Sequence, residues 1–188
     1  MSDERVEAIL RAAYACFTRH GVRRTTMDDI AAEAGMSRPA VYQYVRSKDD
    51  AFRRLAELLF TRALADARAA ALTDGTVADR LHGVLSTKLE LTLRLVRESP
   101  HATELLDASA RQVGDLVEAY TAGVVDIAAA VLAPVAGAAD AREIAELSVA
   151  LTRGLEADLT DPELPRRRLR RGVALLAAGL PAETGASS

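Results

Sequence analysis

TTMDDIAAEAGMSRPAVYQYVRSKDD, residues 25–50, has the pattern of two short helices joined by a tight turn. Thr26, followed three residues later by Asp29, has the form of a capping box with Asp in place of the usual Glu or Gln. The threonine hydroxyl can accept from an unpaired amide of the first turn, which predicts a helix over about residues 27–34. Gly35 is typical of the residue that ends such a helix, because glycine adopts the left-handed conformation at little cost.

A second short helix is predicted to begin after Ser37. Serine is a favourable N-cap, and Pro39 falls in the first turn, where a missing N–H has no consequence. Two helices around a turn that contains glycine form the geometry that lays a recognition helix in the DNA major groove. Residues 26–45 are therefore predicted to form a helix-turn-helix.

The residue types of the second helix fit this interpretation. Arginine can donate two hydrogen bonds to guanine, glutamine can pair with adenine, and alanine or proline can contact a thymine methyl group. Tyrosine hydroxyls and a lysine ammonium are natural partners of phosphates. In the alternative interpretation, the tyrosines cover a small core and the basic residues are solvated. The candidate DNA-binding residues are Ser37, Arg38, Pro39, Ala40, Tyr42, Gln43, Tyr44 and Lys48.

The segment from Gly35 to Phe52 resembles the helix-turn-helix of the tetracycline-repressor (TetR) family. The shared pattern is Gly, a small or apolar residue, Ser, three variable residues, an apolar residue, Tyr, any residue, Tyr or Phe, and later Ser-Lys. The likeness extends back into the preceding helix and covers about the first 55 to 60 residues; Val45 departs from it, because many relatives have an aromatic residue nearby. The resemblance implies DNA contacts at Thr26, Arg38, Ala40, Tyr42, Tyr44 and Lys48.

Composition favours an all-α fold. Apolar residues make up 49% of the chain but aromatic residues only 4%, and Ala and Leu dominate. These two residues lose little on entering a helix, whereas β-branched and aromatic residues are typical of strands. The resemblance implies a three-helix DNA-binding domain over residues 1–55 and a helical ligand-binding and dimerisation domain over residues 56–181. A disordered tail is expected over residues 182–188.

Apolar spacing predicts the remaining helices. The first covers about residues 3–19, and a long one begins after Ser47 and runs to about residue 72, which would join the DNA-binding domain to the rest. A loop is expected over residues 134–139. One predicted helix contains Val77 and closes at Ser99-Pro100, and the others cover about residues 101–110, 112–133, 141–159 and 165–179.

Charge is distributed unevenly along the chain. The formal net charge is −3, which by itself opposes binding to DNA. Residues 19–54 nevertheless contain eight Arg or Lys against five Asp or Glu. A positive surplus in the candidate DNA-binding region suits a protein that places one end on DNA and keeps the other away from it.

Several other classes of protein are disfavoured. The three histidines lack metal-ligand spacing, and there is neither a Gly-rich phosphate loop nor a G-x-S-x-G motif, so we expect no enzyme, metal or cofactor. The single cysteine, Cys16, excludes an intrachain disulfide and is most simply a small buried hydrophobe. Residues 119–139 resemble a membrane span but contain Pro134, which favours a buried helix. A cytoplasmic protein without a membrane partner is expected.

In the TetR family the last two helices pair with their copies in a second subunit. The resemblance therefore implies a homodimer on a palindromic operator, although apolar stripes of this kind can equally face the chain's own core. The candidate dimerisation residues are Ile144, Leu147, Leu151, Leu155, Leu169, Val173 and Leu176.

Family members also bind a small molecule in the second domain, which weakens their hold on DNA. Polar residues near apolar helix faces are the weak candidates for such a site: His82, Lys88, Thr92, His101 and Tyr120. The sequence thus predicts a ligand-responsive transcriptional regulator, a repressor by family resemblance. A helical protein–protein adaptor with a non-functional DNA reader is the alternative.

Overall fold

The structure, a computed structural model, describes residues 2–157, 159 and 161–180. Within these ranges the chain is helical with no strand, which confirms the all-α prediction. The predicted disordered tail, residues 182–188, lies outside the described residues. The helices are α1 Ser2–His20, α2 Met27–Glu33, α3 Arg38–Tyr42, α4 Lys48–Ala71, α5 Val77–Glu98, α6 Ala102–Gln112, α7 Gly114–Ala136, α8 Ala138–Leu155 and α9 Glu163–Ala178.

The turn between α2 and α3 follows from its local sequence. Gly35 has φ +65°, the left-handed conformation that favours glycine. Its N–H donates to the Ala32 carbonyl at 3.1 Å, and the N–H of Met36 donates to the Ala31 carbonyl at 2.9 Å. These two bonds form a Schellman motif, which satisfies the last carbonyls of α2 and ends the helix. The predicted glycine stop is confirmed.

Two helix boundaries differ from the sequence prediction. The expected loop over residues 134–139 is reduced to Gly137, because α7 continues through Pro134 to Ala136 and α8 begins at Ala138. Pro134 lies in the last turn of α7, which is close enough to the end for the helix to finish around it. α8 ends at Leu155, four residues before the predicted end.

The chain divides into two compact units. The first comprises residues up to Thr61 together with Arg94–Glu118, and the second comprises Arg62–Leu93 together with residues from Ala119 onward. The division falls inside α4, α5 and α7, so each of these helices contributes residues to both units. The two-domain division at residue 55 remains a prediction.

The first unit packs α1, α2, α3 and the start of α4 around a small apolar core. Phe17 of α1 and Phe52 of α4 meet edge to face, with ring centroids 5.5 Å apart. Ile9, Ile30 and Val41 are each fully buried in the same core. This packing fixes α3 through one buried side chain, Val41, and leaves the rest of that short helix at the surface.

Within the first unit, hydrogen bonds and an ion pair connect residues 94–118 to the N-terminal residues. The Ser99 hydroxyl donates to the Thr18 carbonyl at 2.8 Å, and the Arg23 N–H donates to the Glu104 carboxylate at 2.9 Å. The Arg53 guanidinium donates to both oxygens of Asp115, at 3.0 and 2.5 Å. α6 therefore belongs structurally with the helix-turn-helix, although it lies far from it in the sequence.

The second unit contains the rest of α4, α5 and α7 with α8 and α9. Leu81, Val84, Leu85 and Leu89 line the buried face of α5. α7 is long and apolar enough to cross a membrane by length and composition, a test that core helices of soluble proteins also pass. Its buried side chains are Tyr120, Val124, Val125, Ala128, Val131 and Leu132.

Candidate nucleic-acid interface

The polar residues of α3 form an exposed surface beside α2. Arg38, Pro39 and Gln43 are exposed, and Tyr42 is 41% exposed despite its size. Ala40 is half-buried. Gln43 is the C-cap of α3 and the others lie on the helix itself, whose position is set by the buried Val41 and by the turn before it. The surface therefore combines hydrogen-bond donors, an aromatic ring and little apolar area, as base edges and phosphates require.

Two predicted DNA-binding residues serve as helix caps. The Thr26 hydroxyl accepts from the Asp29 N–H at 3.2 Å and donates to the Asp29 carboxylate, which also accepts from the Thr26 N–H at 2.8 Å. These bonds lower the pKa of Asp29 below its usual value, first through the hydroxyl and then through the backbone N–H. The Ser37 hydroxyl accepts from the Ala40 N–H at 3.3 Å. Both hydroxyls thus already accept a hydrogen bond that caps a helix, and any contact with DNA would have to form in addition to that bond.

Arg38 is held by two neighbours. Its guanidinium donates to the Asp28 carboxylate at 2.9 Å and to the Tyr42 hydroxyl at 3.4 Å, and lies 5.5 Å from the centre of the Tyr42 ring. The Tyr42 hydroxyl and then the Asp28 charge raise the pKa of Arg38 above its usual value. The side chain most suited to reading guanine is therefore charged and oriented before any DNA is present.

Tyr44 and Lys48 are anchored from outside the helix-turn-helix. The Tyr44 hydroxyl accepts from Arg5 of α1 at 3.1 Å, while its ring packs against the core. The Lys48 ammonium donates to the Arg23 carbonyl at 3.2 Å and so ties the start of α4 to the loop before α2. An ammonium and an exposed guanidinium beside a tyrosine hydroxyl suit contacts to phosphates, which set register.

Sequence reasoning missed Arg5, Arg23 and Asp28 as members of this surface. Arg23 and Arg24 are exposed in the loop before α2, and the surplus of basic residues over residues 19–54 was a signal that included them. Arg5 and Asp28 are brought to Tyr44 and Arg38 only by tertiary packing, so no local pattern pointed to them.

The polar candidates of the second domain do not form one group. Lys88 donates to both oxygens of Glu156, at 2.7 and 2.8 Å, and the Thr92 hydroxyl donates to the same carboxylate at 3.2 Å. Burial, and then the charge of Glu156, raise the pKa of Tyr120. Lys88, Thr92 and Tyr120 are therefore organised around Glu156, a residue that the sequence reasoning had not singled out.

The two histidine candidates are placed elsewhere. His82 lies 3.4 Å from the Ser86 hydroxyl, and burial, followed by the charge of Arg170, lowers its pKa. His101 precedes α6 and belongs to the first unit, with the helix-turn-helix, rather than to the second. The structure thus separates His101 from the other four candidates.

The candidate dimerisation residues divide into two classes. Leu169 and Val173 are each 1% exposed and lie in the core of their own unit, where they have no surface to offer a second subunit. Leu147 is 56% exposed, because small residues such as Ala145 take the buried positions of α8. The half-buried candidates are Ile144, Leu151, Leu155 and Leu176.

Comparison with known proteins bears on the helix-turn-helix part of the chain. A family model described as bacterial regulatory proteins, tetR family, matches residues 9–55, the segment that carries α2, α3 and their turn. The helix-turn-helix part of the chain is therefore similar to that of the tetR-family regulatory proteins.

Curated relatives match only part of the chain. An uncharacterised HTH-type transcriptional regulator of Bacillus subtilis, YfiR, is 46% identical over 55 residues, which cover 29% of this chain and 27% of the relative. A similarly described protein of Mycobacterium tuberculosis is 37% identical over 97 residues, which cover 44% of this chain and 49% of the relative. The matched region thus spans about half of these relatives or less.

Solved structures share the fold over nearly the whole chain. A putative transcriptional regulator of Pseudomonas aeruginosa has a TM-score of 0.75 at 20% identity, with 95% of this chain and 91% of that chain covered. The complex of SmeT with triclosan has a TM-score of 0.72 at 23% identity, with 96% and 93% covered. SmeT is described as the repressor of a multidrug efflux pump of Stenotrophomonas maltophilia. At these identities the likeness establishes the fold alone.

Proposed function

We propose that this protein is a cytoplasmic, ligand-responsive transcriptional repressor that binds a palindromic DNA operator as a homodimer. The observation that carries the proposal is the exposed face of α3, where Arg38, Tyr42 and Gln43 are held in place by a buried valine and two capped helix ends. In helix-turn-helix proteins the start of the second helix meets base edges in the major groove. On this account Arg38 and Gln43 read bases, and Tyr42, Tyr44 and Lys48 contact phosphates.

A gel-shift assay with the DNA that flanks the protein's own gene tests this function. The expected result is a complex that survives excess unrelated DNA and weakens steeply as salt rises, because basic side chains displace counterions from phosphates. If the protein shifts every duplex equally, or shifts none at low salt, the proposal is wrong.

Dimerisation is supported by the exposed apolar surface of α8 and α9. Leu147 and Leu175 are 56% and 66% exposed, and the partly buried Leu151 lies one turn along α8 from Leu147. A Cβ added at Gly172 would come within 2.6 Å of Leu151, so the two helices approach closely at this point. Large apolar residues that remain exposed on a tightly packed helix pair favour burial against a second copy.

Release by a small molecule is the further part of this proposal. The SmeT fold has been solved with triclosan bound, which supports an effector for a chain of the same architecture. Lys88, Thr92, Tyr120 and Glu156 provide the polar group at which such a molecule would be oriented in the second unit. The continuous helix α4 contributes residues to both units and is the route by which we expect binding to reach α3.

A further inference from the structure

The carboxylate of Asp28 stands beside the surface proposed to read DNA, where negative charge is unfavourable. Asp28 lies in the first turn of α2, is well exposed, and accepts from the Arg38 guanidinium at 2.9 Å. DNA is polyanionic, so a carboxylate at this surface repels phosphates and lowers affinity for any duplex. A residue that costs affinity in this way requires a compensating role at the same surface.

Stability does not supply that role. The side chains of Arg38 and Asp28 are 54% and 65% exposed, and exposed ion pairs contribute little because water and salt screen them. Asp28 does favour the N-terminus of α2, but Asp29 in the same turn already supplies both a negative charge and the capping box.

Orientation of Arg38 is the role that the geometry supports. An unrestrained arginine side chain samples many rotamers, and ordering it on a base lowers the gain from the contact. In this chain one terminal nitrogen is bound to Asp28, the other lies near the Tyr42 hydroxyl, and the guanidinium lies over the Tyr42 ring. The remaining N–H groups keep the planar fork that matches the O6 and N7 acceptors of guanine.

We infer that Asp28 is a positioning residue that makes DNA reading by Arg38 selective for guanine, at the expense of overall affinity for DNA. This inference rests on the proposed DNA-binding function, since it concerns how one of its residues discriminates between bases. A carboxylate that fixes the fork penalises the other bases, because Arg38 cannot turn freely towards an alternative acceptor. Selectivity is a difference of affinities, and Asp28 increases that difference by restricting the arginine.

The test is selection from a pool of duplexes with a randomised central segment, followed by binding titrations with the selected duplex and its single-base variants. For the unmodified protein we expect one guanine position per half-site that depends on Arg38. In Asp28→Asn we expect the preference at that position to fall by about 3- to 10-fold, while affinity for random duplex rises by about 2- to 5-fold.

Glu33→Ala is the matched control. Glu33 is also on α2, is also paired with an arginine, Arg19 at 3.0 Å, and does not contact Arg38. Its removal changes the charge of the helix by the same amount. We expect Glu33→Ala to raise affinity for random duplex without changing the preference at the Arg38-dependent position.

A double-substitution cycle separates orientation from simple charge. In an Arg38→Ala background, Asp28→Asn should have no further effect on base preference, because the residue it positions is gone. An Asp28→Asn protein that keeps the full guanine preference would overturn this inference alone. An unmodified protein that selects no sequence would overturn the proposed function, and this inference with it.

Discussion

Two ion pairs of similar length have opposite surroundings. Arg38 and Asp28 meet at 2.9 Å on the helix-turn-helix with side chains 54% and 65% exposed. Lys88 and Glu156 meet at 2.7 Å in the second unit with side chains 9% and 16% exposed. The distance between the charged atoms alone therefore does not indicate the role of an ion pair. Water screens the first pair, whereas the second is largely shielded from water inside its unit.

The largest expected effect is on the buried pair. Glu156→Ala would leave the Lys88 ammonium buried without its carboxylate, and breaking such a pair costs about 3–5 kcal/mol. We expect the free energy of unfolding, measured by urea denaturation at one protein concentration, to fall by about this amount. The double variant Lys88→Met with Glu156→Leu should lose less, because no buried charge remains. A single variant as stable as the unmodified protein would contradict this account.

The second largest expected effect is on dimerisation and concerns Leu147, an exposed apolar residue of the second unit. Leu147→Asp would place a charge in the proposed subunit interface, so we expect the dimer to become a monomer at micromolar concentration in analytical ultracentrifugation. The monomer should remain folded, because Leu147 is 56% exposed within its own chain. Arg153→Asp, on the same helix and also exposed, is the control and should remain dimeric. A dimeric Leu147→Asp protein would place the interface elsewhere.

The exposed pair should have a much smaller effect on folding. Asp28→Asn is expected to change the free energy of unfolding by about 1 kcal/mol or less, since the pair is screened and the substitution is nearly isosteric. The same urea titration used for Glu156→Ala measures it. A loss as large as that of Glu156→Ala would mean that Asp28 is structural and would remove the contrast between the two pairs.

The smallest expected effect is a dependence of the free energy of unfolding on pH in the acidic range. Hydrogen bonds from Thr26 and Thr76 lower the pKa values of Asp29 and Asp79 below their usual value. A lowered pKa in the folded state means that both caps stabilise the protein above the ordinary pKa of aspartate and stop doing so as pH falls through the folded value. Urea titrations from about pH 5 to about pH 2 should therefore show Asp29→Asn converging on the unmodified protein. A constant difference between the two proteins would contradict the assignment.

The short-range features of the fold could be predicted from the sequence. The capping box at Thr26, the glycine stop at Gly35 and the cap at Ser37 depend on residues within a few positions of one another. Each favours the start or the end of a helix at a position that is compatible with the tertiary packing. For this reason α2, α3 and their turn were predictable. The same residues gave the family resemblance.

Long-range features could not be predicted, for physical reasons. Thr18 and Ser99 are 81 residues apart in the chain, and no local pattern indicates that they bond. Periodicity showed that α8 and α9 have apolar stripes but not which residues face the unit's own core. On α8 Ala145 lies inside and Leu147 outside, whereas on α9 Val173 lies inside. Tertiary packing determines which residues of each helix are buried, because small residues allow neighbouring helices to approach closely.

Fluorescence anisotropy on the selected duplex tests whether the exposed face of α3 reads DNA. The measurement compares the unmodified protein with Tyr42→Ala. Tyr42 contacts the Arg38 guanidinium and is 41% exposed, so its loss should leave the thermal melting curve almost unchanged. We predict that Tyr42→Ala loses selective binding while remaining folded. A folded Tyr42→Ala protein that binds the same duplex with unchanged affinity and selectivity would contradict the account.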